Sequence, residues 1–312
     1  MTLSGLRVAV TGASGFCGGA IARAAAAVGA DVVCLSRRPG PVGRHVPWDA
    51  AVEAPDLAGA DLVVHAAAAV GDPSRGPAIE AAFRAVNVDG GRRLLDAART
   101  RPVVWVSSAS VYHPRHRGEP VTEEHPVGDQ VNAYGRTKAE GERHALAAGA
   151  VVLRPRAVYG PGDPHLAPRV LRRVRAGVLV LPGPDVRLSL TGVANLADAG
   201  LAAFTWPAGA YNIADARPYS RDAAVRAVLA AHRRVARVVH APVGLAASVA
   251  RVAEAVARLA GSAEPYLSRY AVDQLARGMV LDIGKALAQG WQPRHDLHDY
   301  VVAGVSRSDG VC

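Results

Sequence analysis

The sequence predicts an α/β protein: a doubly wound parallel sheet with helices on both faces, joined to a smaller, mainly helical C-terminal lobe. Three observations carry this expectation. Short valine-rich apolar runs alternate with longer helical patterns through the first half of the chain, the mark of repeated strand–helix–strand units. The first of these runs passes through a Gly-rich turn directly into a helix. The 312 residues, half of them apolar and 20% charged, suffice for one large core and a second unit, and can bury enough surface to offset the entropy of ordering the chain.

In chain order, Leu6 to Thr11 reads as a buried strand and Phe16 to Val28 as the helix after it. Strands follow at Val32 to Ser36, Asp61 to Ala66, Val103 to Ser107 and Val151 to Leu153, with helices at Ile79 to Arg99 and Asn132 to Ala147. After Arg154 the pattern changes. A Pro/Gly-rich loop (Tyr159 to Pro164), a helix near Leu166 to Ala176 and a second Pro/Gly stretch (Leu181 to Pro184) read as chain leaving the sheet. Val193 to Thr205 and Tyr211 to Ile213 read as one more helix and strand returning to it, while Asp222 to Ala236, Val243 to Ala260 and Tyr266 to Arg277 supply helices for the lobe. The expected division is therefore 1–158 with 193–215 for the sheet, and 159–192 with 216–312 for the smaller lobe.

Composition excludes several classes of function. The net charge of +9 comes almost wholly from arginine, since only Lys138 and Lys285 among 36 basic residues are lysines, and the arginines are scattered rather than massed. That distribution is a solvated surface, not a nucleic-acid patch. Apolar stretches such as Leu62 to Val70 are broken well before bilayer length, and no basic-then-apolar leader precedes the first Gly-rich turn, so neither a membrane span nor a secretory signal is expected. Cys17, Cys34 and Cys312 are too few and too scattered for a disulfide framework or a zinc site. The expectation is a cytoplasmic, metal-free protein.

The turn Thr11-Gly12-Ala13-Ser14-Gly15-Phe16-Cys17-Gly18 lies between first strand and first helix, the context in which a Gly-rich loop holds a dinucleotide. Gly12 permits the tight turn, Gly15 lets backbone amides approach a pyrophosphate, and Gly18 allows helix and strand to pack closely, with the helix N-terminus facing the anion. At the end of the second strand, an Asp or Glu would bond the ribose of NAD. The chain has Ser36-Arg37-Arg38 instead. Guanidinium groups suit a 2′-phosphate, so NADP(H) is favoured, with NAD(H) as the alternative.

Tyr134 and Lys138 stand four residues apart in the first turns of a predicted helix and so share one face. A phenol with an ordinary pKa of ~10 is a poor acid or base at neutral pH, and a neighbouring ammonium draws it toward working range. Upstream, Ser108 follows the C-terminal end of the Val103 to Ser107 strand, where ligands meet an open α/β sheet, and its hydroxyl could hold a substrate oxygen. Local backbone capping is the plainer explanation for the serines Ser107, Ser108 and Ser110 taken alone.

With these residues in view, the chain resembles the extended short-chain dehydrogenase/reductase family, which includes nucleotide-sugar epimerases, dehydratases and 3β-hydroxysteroid dehydrogenase-like enzymes. The resemblance runs nearly end to end through TGASGFCG, DLVVHAAA (Asp61 to Ala68), NVDGGRRLLDAA (Asn87 to Ala98), VSSASVY (Val106 to Tyr112), the Tyr134/Lys138 pair, LRPRAVYGPGD (Leu153 to Asp163), YNIAD (Tyr211 to Asp215) and GWQP (Gly290 to Pro293). It implies a Rossmann-type sheet, Tyr134 as proton donor or acceptor, Ser108 as partner of the substrate oxygen, and Lys138 on the nicotinamide ribose. It further implies that Asn87 lies near the cofactor, that Ala66, Ala67, Ala68 and Pro155 line the dinucleotide, and that Asp49 approaches adenine. Together with the loop residues Gly12, Ser14, Gly15, Phe16, Cys17 and Gly18 and the Ser36, Arg37 and Arg38 run, these are the expected cofactor-binding residues.

Departures from the pattern bear on substrate. Where nucleotide-sugar enzymes commonly carry an Asn before YGP, this chain has Ala157; where they tend to carry an Arg five residues before Val193, it has Leu188, with Arg187 one step earlier. A shift of one residue in a strand turns a side chain to the other face. The segment Val193-Ala194-Asn195 also lacks the usual acid pair. The expected function is an NADP(H)-dependent oxidoreductase interconverting a secondary alcohol and a ketone on a small or specialised metabolite, with Tyr134 as acid/base. The alternative is a nucleotide-sugar epimerase or 4-ketoreductase that holds its diphosphate through Arg169, Arg172 or Arg187. A cofactor-binding sensor without turnover is a third class, which has no need of Ser108, Tyr134 and Lys138. The expected partner is a small-molecule substrate, and a homodimer is compatible with the sequence.

Overall fold

A computed structural model describes residues 3–71, 76–114, 118–259 and 269–309. The chain runs β1 (Arg7–Thr11), α1 (Phe16–Ala27), β2 (Asp31–Ser36), β3 (Arg44–Pro47), β4 (Leu62–His65), α2 (Pro77–Arg84), a π-helical turn (Ala85–Gly90), α3 (Gly91–Ala98), β5 (Val103–Val106), α4 (Ala133–Ala147) and β6 (Val151–Pro155). Then come β7 (Val158–Tyr159), α5 (Leu166–Arg173), β8 (Val178–Pro182), β9 (Arg187–Leu188), β10 (Thr191–Gly192), α6 (Val193–Ala202), β11 (Gly209–Ile213), β12 (Tyr219–Ser220), α7 (Arg221–Ala231), β13 (Arg237–Ala241), α8 (Val243–Leu259), α9 (Arg269–Arg277), α10 (Gly284–Leu287) and α11 (Leu297–Asp309). The seven-stranded sheet has the order β11-β6-β5-β4-β1-β2-β3, with every neighbouring pair parallel. This is the Rossmann-type sheet that the sequence predicts. Its strand order reverses between β1 and β4, and the crevice above their C-terminal ends is where such sheets take ligands.

Period-two alternation sorts the strand residues into two cores. Val8, Val10, Val32, Cys34, Val64, Val104 and Leu153 face α1 and α6, while Ala9, Val33, Leu35, Val63, Trp105 and Val152 face the α3 and α4 side. Both faces are covered, which is why these strands read as continuous apolar runs.

Three of the differences from the expectation have a local reason. The sequence reading places no strand at β3, whose Arg44, His45 and terminal Pro47 suit only a short sheet edge. The helix expected over Ile79 to Arg99 is interrupted by the π turn at Ala85–Gly90, where a Cβ on Gly90 would stand 2.2 Å from the Ala50 carbonyl oxygen. The helix expected over Asp222 to Ala236 stops at Ala231, after which Arg233 takes a φ of 51° and the Val238-Val239 pair joins β8 in a separate two-stranded sheet. The residues expected to form the lobe thus carry α5, α7, α8, α9 and α11, and also the β8–β13 and β9–β12 pairs. Residues 260 and 266–268 of the expected lobe helices, and Cys312, lie outside the described residues.

One buried ion pair fixes the helix that matters most to the site. Arg154 on β6 donates to Glu142 Oε1 from both Nε (3.0 Å) and Nη2 (2.5 Å), and both side chains are buried. Glu142 also accepts from the Ser107 hydroxyl at 2.5 Å, and Arg154 reaches the Tyr112 hydroxyl at 3.0 Å. Removing one member of such a pair strands the other charge in the interior. Arg154→Met is therefore expected to lower unfolding stability by about 3–5 kcal/mol in urea titrations, and the double exchange of Arg154→Met with Glu142→Leu to recover most of that loss.

Candidate active site

A cavity of about 1090 Å³ opens above the C-terminal ends of β1 and β4 and runs outward between the sheet and the lobe. The Gly-rich turn forms its floor. Gly12 has φ +67, and a Cβ there would lie 2.7 Å from the backbone of Ala67, so this glycine serves both the turn and the close approach of the β4 end. A Cβ on Gly18 would stand 2.4 Å from the Gly12 carbonyl oxygen, so its bareness lets α1 sit against the turn. Gly15 is different. Its Cβ would meet only the Gly12 oxygen at 3.1 Å, and as N-cap of α1 it makes no side-chain cap bond, so the first-turn amides face the cavity beside a glycine. That cradle, without an acid in the first turn, fits a dinucleotide pyrophosphate.

The loop after β4 is held in place from below. The Thr11 hydroxyl accepts from the amides of Ala66 and Ala67 at 3.2 Å and shares a hydrogen bond with His65 Nδ1 at 2.8 Å. Burial pushes His65 down to about 3, with the Lys138 charge adding to the effect, so the ring is neutral. Asn87 belongs to this scaffold. Its Oδ1 accepts from the Ala69 amide at 2.8 Å, and its Nδ2 donates to the Ala69 oxygen at 3.1 Å and to Thr137 Oγ1 at 2.9 Å. It is buried behind the lining residue Ala69 and does not itself line the cavity. Asn87 ties the loop to α4 instead.

Every other site residue expected from sequence lines the cavity: Gly12, Ser14, Gly15, Phe16, Cys17, Gly18, Ser36, Arg37, Arg38, Asp49, Ala66, Ala67, Ala68, Ser108, Tyr134, Lys138 and Pro155. Their side chains are differently committed. Ser36 Oγ donates to the Arg38 carbonyl oxygen at 2.7 Å and so shapes the turn that carries Arg37 and Arg38, both exposed. Asp49 accepts the Ala51 amide through Oδ1 at 2.9 Å. Burial, with Asp163 nearby, pushes the Cys17 thiol up to about 12, leaving it a protonated, unreactive wall.

Helix α4 starts cleanly because Asn132 caps it, its Oδ1 accepting the Gly135 amide at 2.9 Å. Tyr134 is thereby set in the first turn, half-buried at the cavity, with Lys138 one turn on. Lys138 is buried and donates from Nζ to the Val106 carbonyl oxygen at 2.7 Å. Burial brings its ammonium down to about 8, against the opposing pull of Glu142. Ser108 caps the short 3-10 turn Ala109–Val111 by accepting the Ser110 amide at 3.2 Å, a bond that uses a lone pair and not its O–H. Local backbone capping, the plainer explanation for this serine, thus holds. Ser110 Oγ is buried at the cavity with no hydrogen-bond partner among the described residues, a second hydroxyl that sequence reasoning left as a turn residue.

Of the outer half of the cavity, the sequence reading singled out Ala157, Leu188, Arg169 and Arg172 but not the wall they belong to. Leu166, Val170, Leu188, Leu190, Leu275 and Met279 form apolar wall, and Arg156, Arg169, Arg172, Arg173 and Arg175 stand around it. Leu188 is buried there, while Arg187 is exposed, points to the Pro218 carbonyl oxygen at 3.4 Å and lies outside the lining. Ala157 lines the cavity with φ +43, a left-handed conformation that Asn adopts far more readily than Ala. Among the described lining residues Asp49 is the one carboxylate, and it belongs to the other end.

Residues 8–214 match the model of the NAD dependent epimerase/dehydratase family. A 2-alkyl-3-oxoalkanoate reductase of Stenotrophomonas maltophilia is 32% identical over 221 residues, covering 64% of this chain and 65% of that protein, so the match spans just under two thirds of the relative. A protein of the same name from Shewanella oneidensis is 28% identical over 89% of this chain and 79% of its own length. Among solved structures, the UDP-glucose 4-epimerase of Thermus thermophilus in complex with NAD superposes with a TM-score of 0.72 at 23% identity, over 98% of this chain and 100% of that one, a likeness of fold. Matched to the family over more than half its length, and sharing its sheet order, this chain belongs to the NAD dependent epimerase/dehydratase family, an NAD(P)-using branch of the extended short-chain dehydrogenases/reductases.

Proposed function

We propose that this protein is an NADP(H)-dependent ketoreductase that converts an apolar 3-oxo acid to the corresponding 3-hydroxy acid. Residues 1–158 and 193–215 would hold the dinucleotide, and 159–192 with 216–312 the substrate. The observation that carries the reading is the outer half of the cavity, where an aliphatic wall meets a set of arginines and none of the described lining residues at that end is a carboxylate. Such a lining suits an amphipathic anion: alkyl chain against Leu166, Leu188, Leu275 and Met279, carboxylate toward guanidinium. The names of the two curated relatives agree with this chemistry.

The bound dinucleotide supplies the hydride. The chain's own work is to hold the ketone and move one proton. The Ser108 O–H, left free by its capping bond, donates to the carbonyl oxygen, and the orphaned Ser110 hydroxyl lies in the same wall. Tyr134 then gives its phenolic proton to that oxygen, which leaves as the hydroxyl of the product. Lys138, fixed through Val106, supplies the positive charge that favours the phenolate formed. Arg37 and Arg38, exposed at the end of β2 with no acid beside them in sequence, support the NADP(H) preference.

The second reading is a nucleotide-sugar epimerase or 4-ketoreductase. What favours it is that Arg169 and Arg172 line the cavity and could meet a diphosphate, although Arg187 does not join them.

Long-chain 2-alkyl-3-oxo acids are expected to oxidise NADPH in the presence of the enzyme. Their methyl esters should show kcat/KM lower by about 10-fold or more, since the ester forfeits a charge-assisted bond. Saturable micromolar binding and turnover of a UDP- or dTDP-sugar, with the oxo acids inert, would reverse the ranking. Tyr134→Phe is expected to lower kcat by about 10²–10⁴-fold with NADPH affinity nearly unchanged, and Lys138→Ala to damage both. Fluorescence titration should find NADPH bound more tightly than NADH, with Arg37→Ala narrowing the gap; equal affinities in the unmutated protein would remove the NADP(H) assignment.

A further inference from the structure

A 3-oxo acid carries its charge next to its reacting carbon. A single carbon atom separates carboxylate from ketone, so the group that pairs with the carboxylate has to stand beside the residues that hold the ketone oxygen, not at the mouth of the cavity. That constraint separates the arginines of the lining from one another.

Arg172 and Arg175 are exposed, and Arg169 and Arg173 are half-buried on α5. Ion pairs in such places are screened by water and contribute little. Arg156 differs in burial and in position. It is the first residue past β6, is 9% exposed, and lines the cavity directly after Pro155. On the neighbouring strand β5, the pairing of Val106 with Leu153 carries Ser108 level with Pro155. Strand pairing therefore puts Arg156 beside the turn that presents Ser108, the hydroxyl proposed to meet the ketone.

The residue is held firmly. Its amide donates to Thr191 Oγ1 at 3.0 Å, and the Thr191 hydroxyl donates to the Ile213 carbonyl oxygen at 2.6 Å, so β10 and β11 both fix its backbone. Ala157, with φ +43, then turns the chain away. From α9, the Gln274 side-chain oxygen accepts from Arg156 Nη2 at 3.5 Å, a long bond to a neutral group. A guanidinium taken this far out of water gains most from an anion, because their attraction is screened least there. Its planar fork matches the two oxygens of a carboxylate.

We propose, on the 3-oxo acid reading above, that Arg156 binds the substrate carboxylate, with Gln274 orienting its guanidinium. The same contact selects the position of the ketone. In a 5-oxo acid the charge lies two carbons further from the reacting carbon, and a carboxylate seated on Arg156 leaves the ketone out of reach of Ser108 and Tyr134.

Calorimetry on the NADPH complex should find 3-hydroxytetradecanoate bound more tightly than its methyl ester. Arg156→Gln should weaken the acid by about 10–100-fold, the loss of a charge-assisted bond, so that acid and ester bind alike, with circular dichroism and NADPH affinity kept. Arg156→Lys retains the charge without the fork and should weaken the acid by about 3–10-fold; it carries the test if the glutamine variant does not fold. In turnover, 3-oxotetradecanoate should exceed 5-oxotetradecanoate in kcat/KM by about 10-fold or more, and Arg156→Gln should erase that preference. An acid affinity that neither Arg156 variant moves would overturn the proposal; if Arg169→Gln abolishes it instead, the carboxylate belongs to α5 and the 3-oxo acid reading stands. An unmutated chain that binds acid and ester equally and reduces neither oxo acid overturns the proposal together with the reading beneath it.

Discussion

The site depends on a carboxylate buried under it. Glu142 sits on the same helix as Tyr134 and Lys138, one turn beyond the lysine, and there it meets Arg154 from β6 and the Ser107 hydroxyl from the end of β5. Three elements converge on one charge. A buried charge tolerates little displacement from its partner, so the pair fixes the rotation and height of α4 against the sheet more sharply than apolar contact alone would. The network extends through Tyr112 to Asn212 on β11, whose side chain also bonds the Val121 and Asp282 carbonyl oxygens, so the strand that returns late in the chain is locked to the same unit. The position of the phenol at the cavity is in this sense an outcome of electrostatics two turns away.

The cavity is polarised along its length. At the inner end, backbone amides, neutral His65 and a high-pKa thiol surround a single buried ammonium, Lys138, which desolvation has weakened to about 8. At the outer end, arginines stand around aliphatic walls. Low-dielectric walls concentrate the field of the charges that line them, which is the environment the proposed amphipathic anion would meet. Asp163 prepares this end. Its two carboxylate oxygens accept the amides of His165, Leu166 and Ala167, start α5, and so set Arg169, Arg172 and Arg173 along the rim.

The motif departures seen in sequence have a geometric counterpart. Ala157 holds the left-handed backbone that its position demands without the side-chain amide that would make such a conformation comfortable. Leu188 and Arg187 take opposite faces of β9, leucine into the cavity and arginine to solvent, as strand alternation requires.

The sequence by itself determined the sheet and its strand order class, and it named most of the residues that line the inner half of the cavity. These rest on local rules that survive any tertiary context: a Gly-rich turn between strand and helix, two side chains four apart on one helical face, apolar runs sized for buried strands. Asn87 shows where that legibility stops, because a motif residue near a ligand and a residue that anchors the ligand's loop have the same sequence signal, and only the hydrogen bonds to Ala69 and Thr137 separate them. Tertiary structure decided the assembly of the outer half of the cavity, which brings Gln274 and Met279 to Arg156, Arg169 and Leu188 from later in the chain. It also decided that Ala250 and Ala257 of α8 are buried while Leu245 and Val249 face out, since both stripes of this helix are apolar and keep the same helical period, and periodicity carries no sign to say which side the rest of the chain will cover.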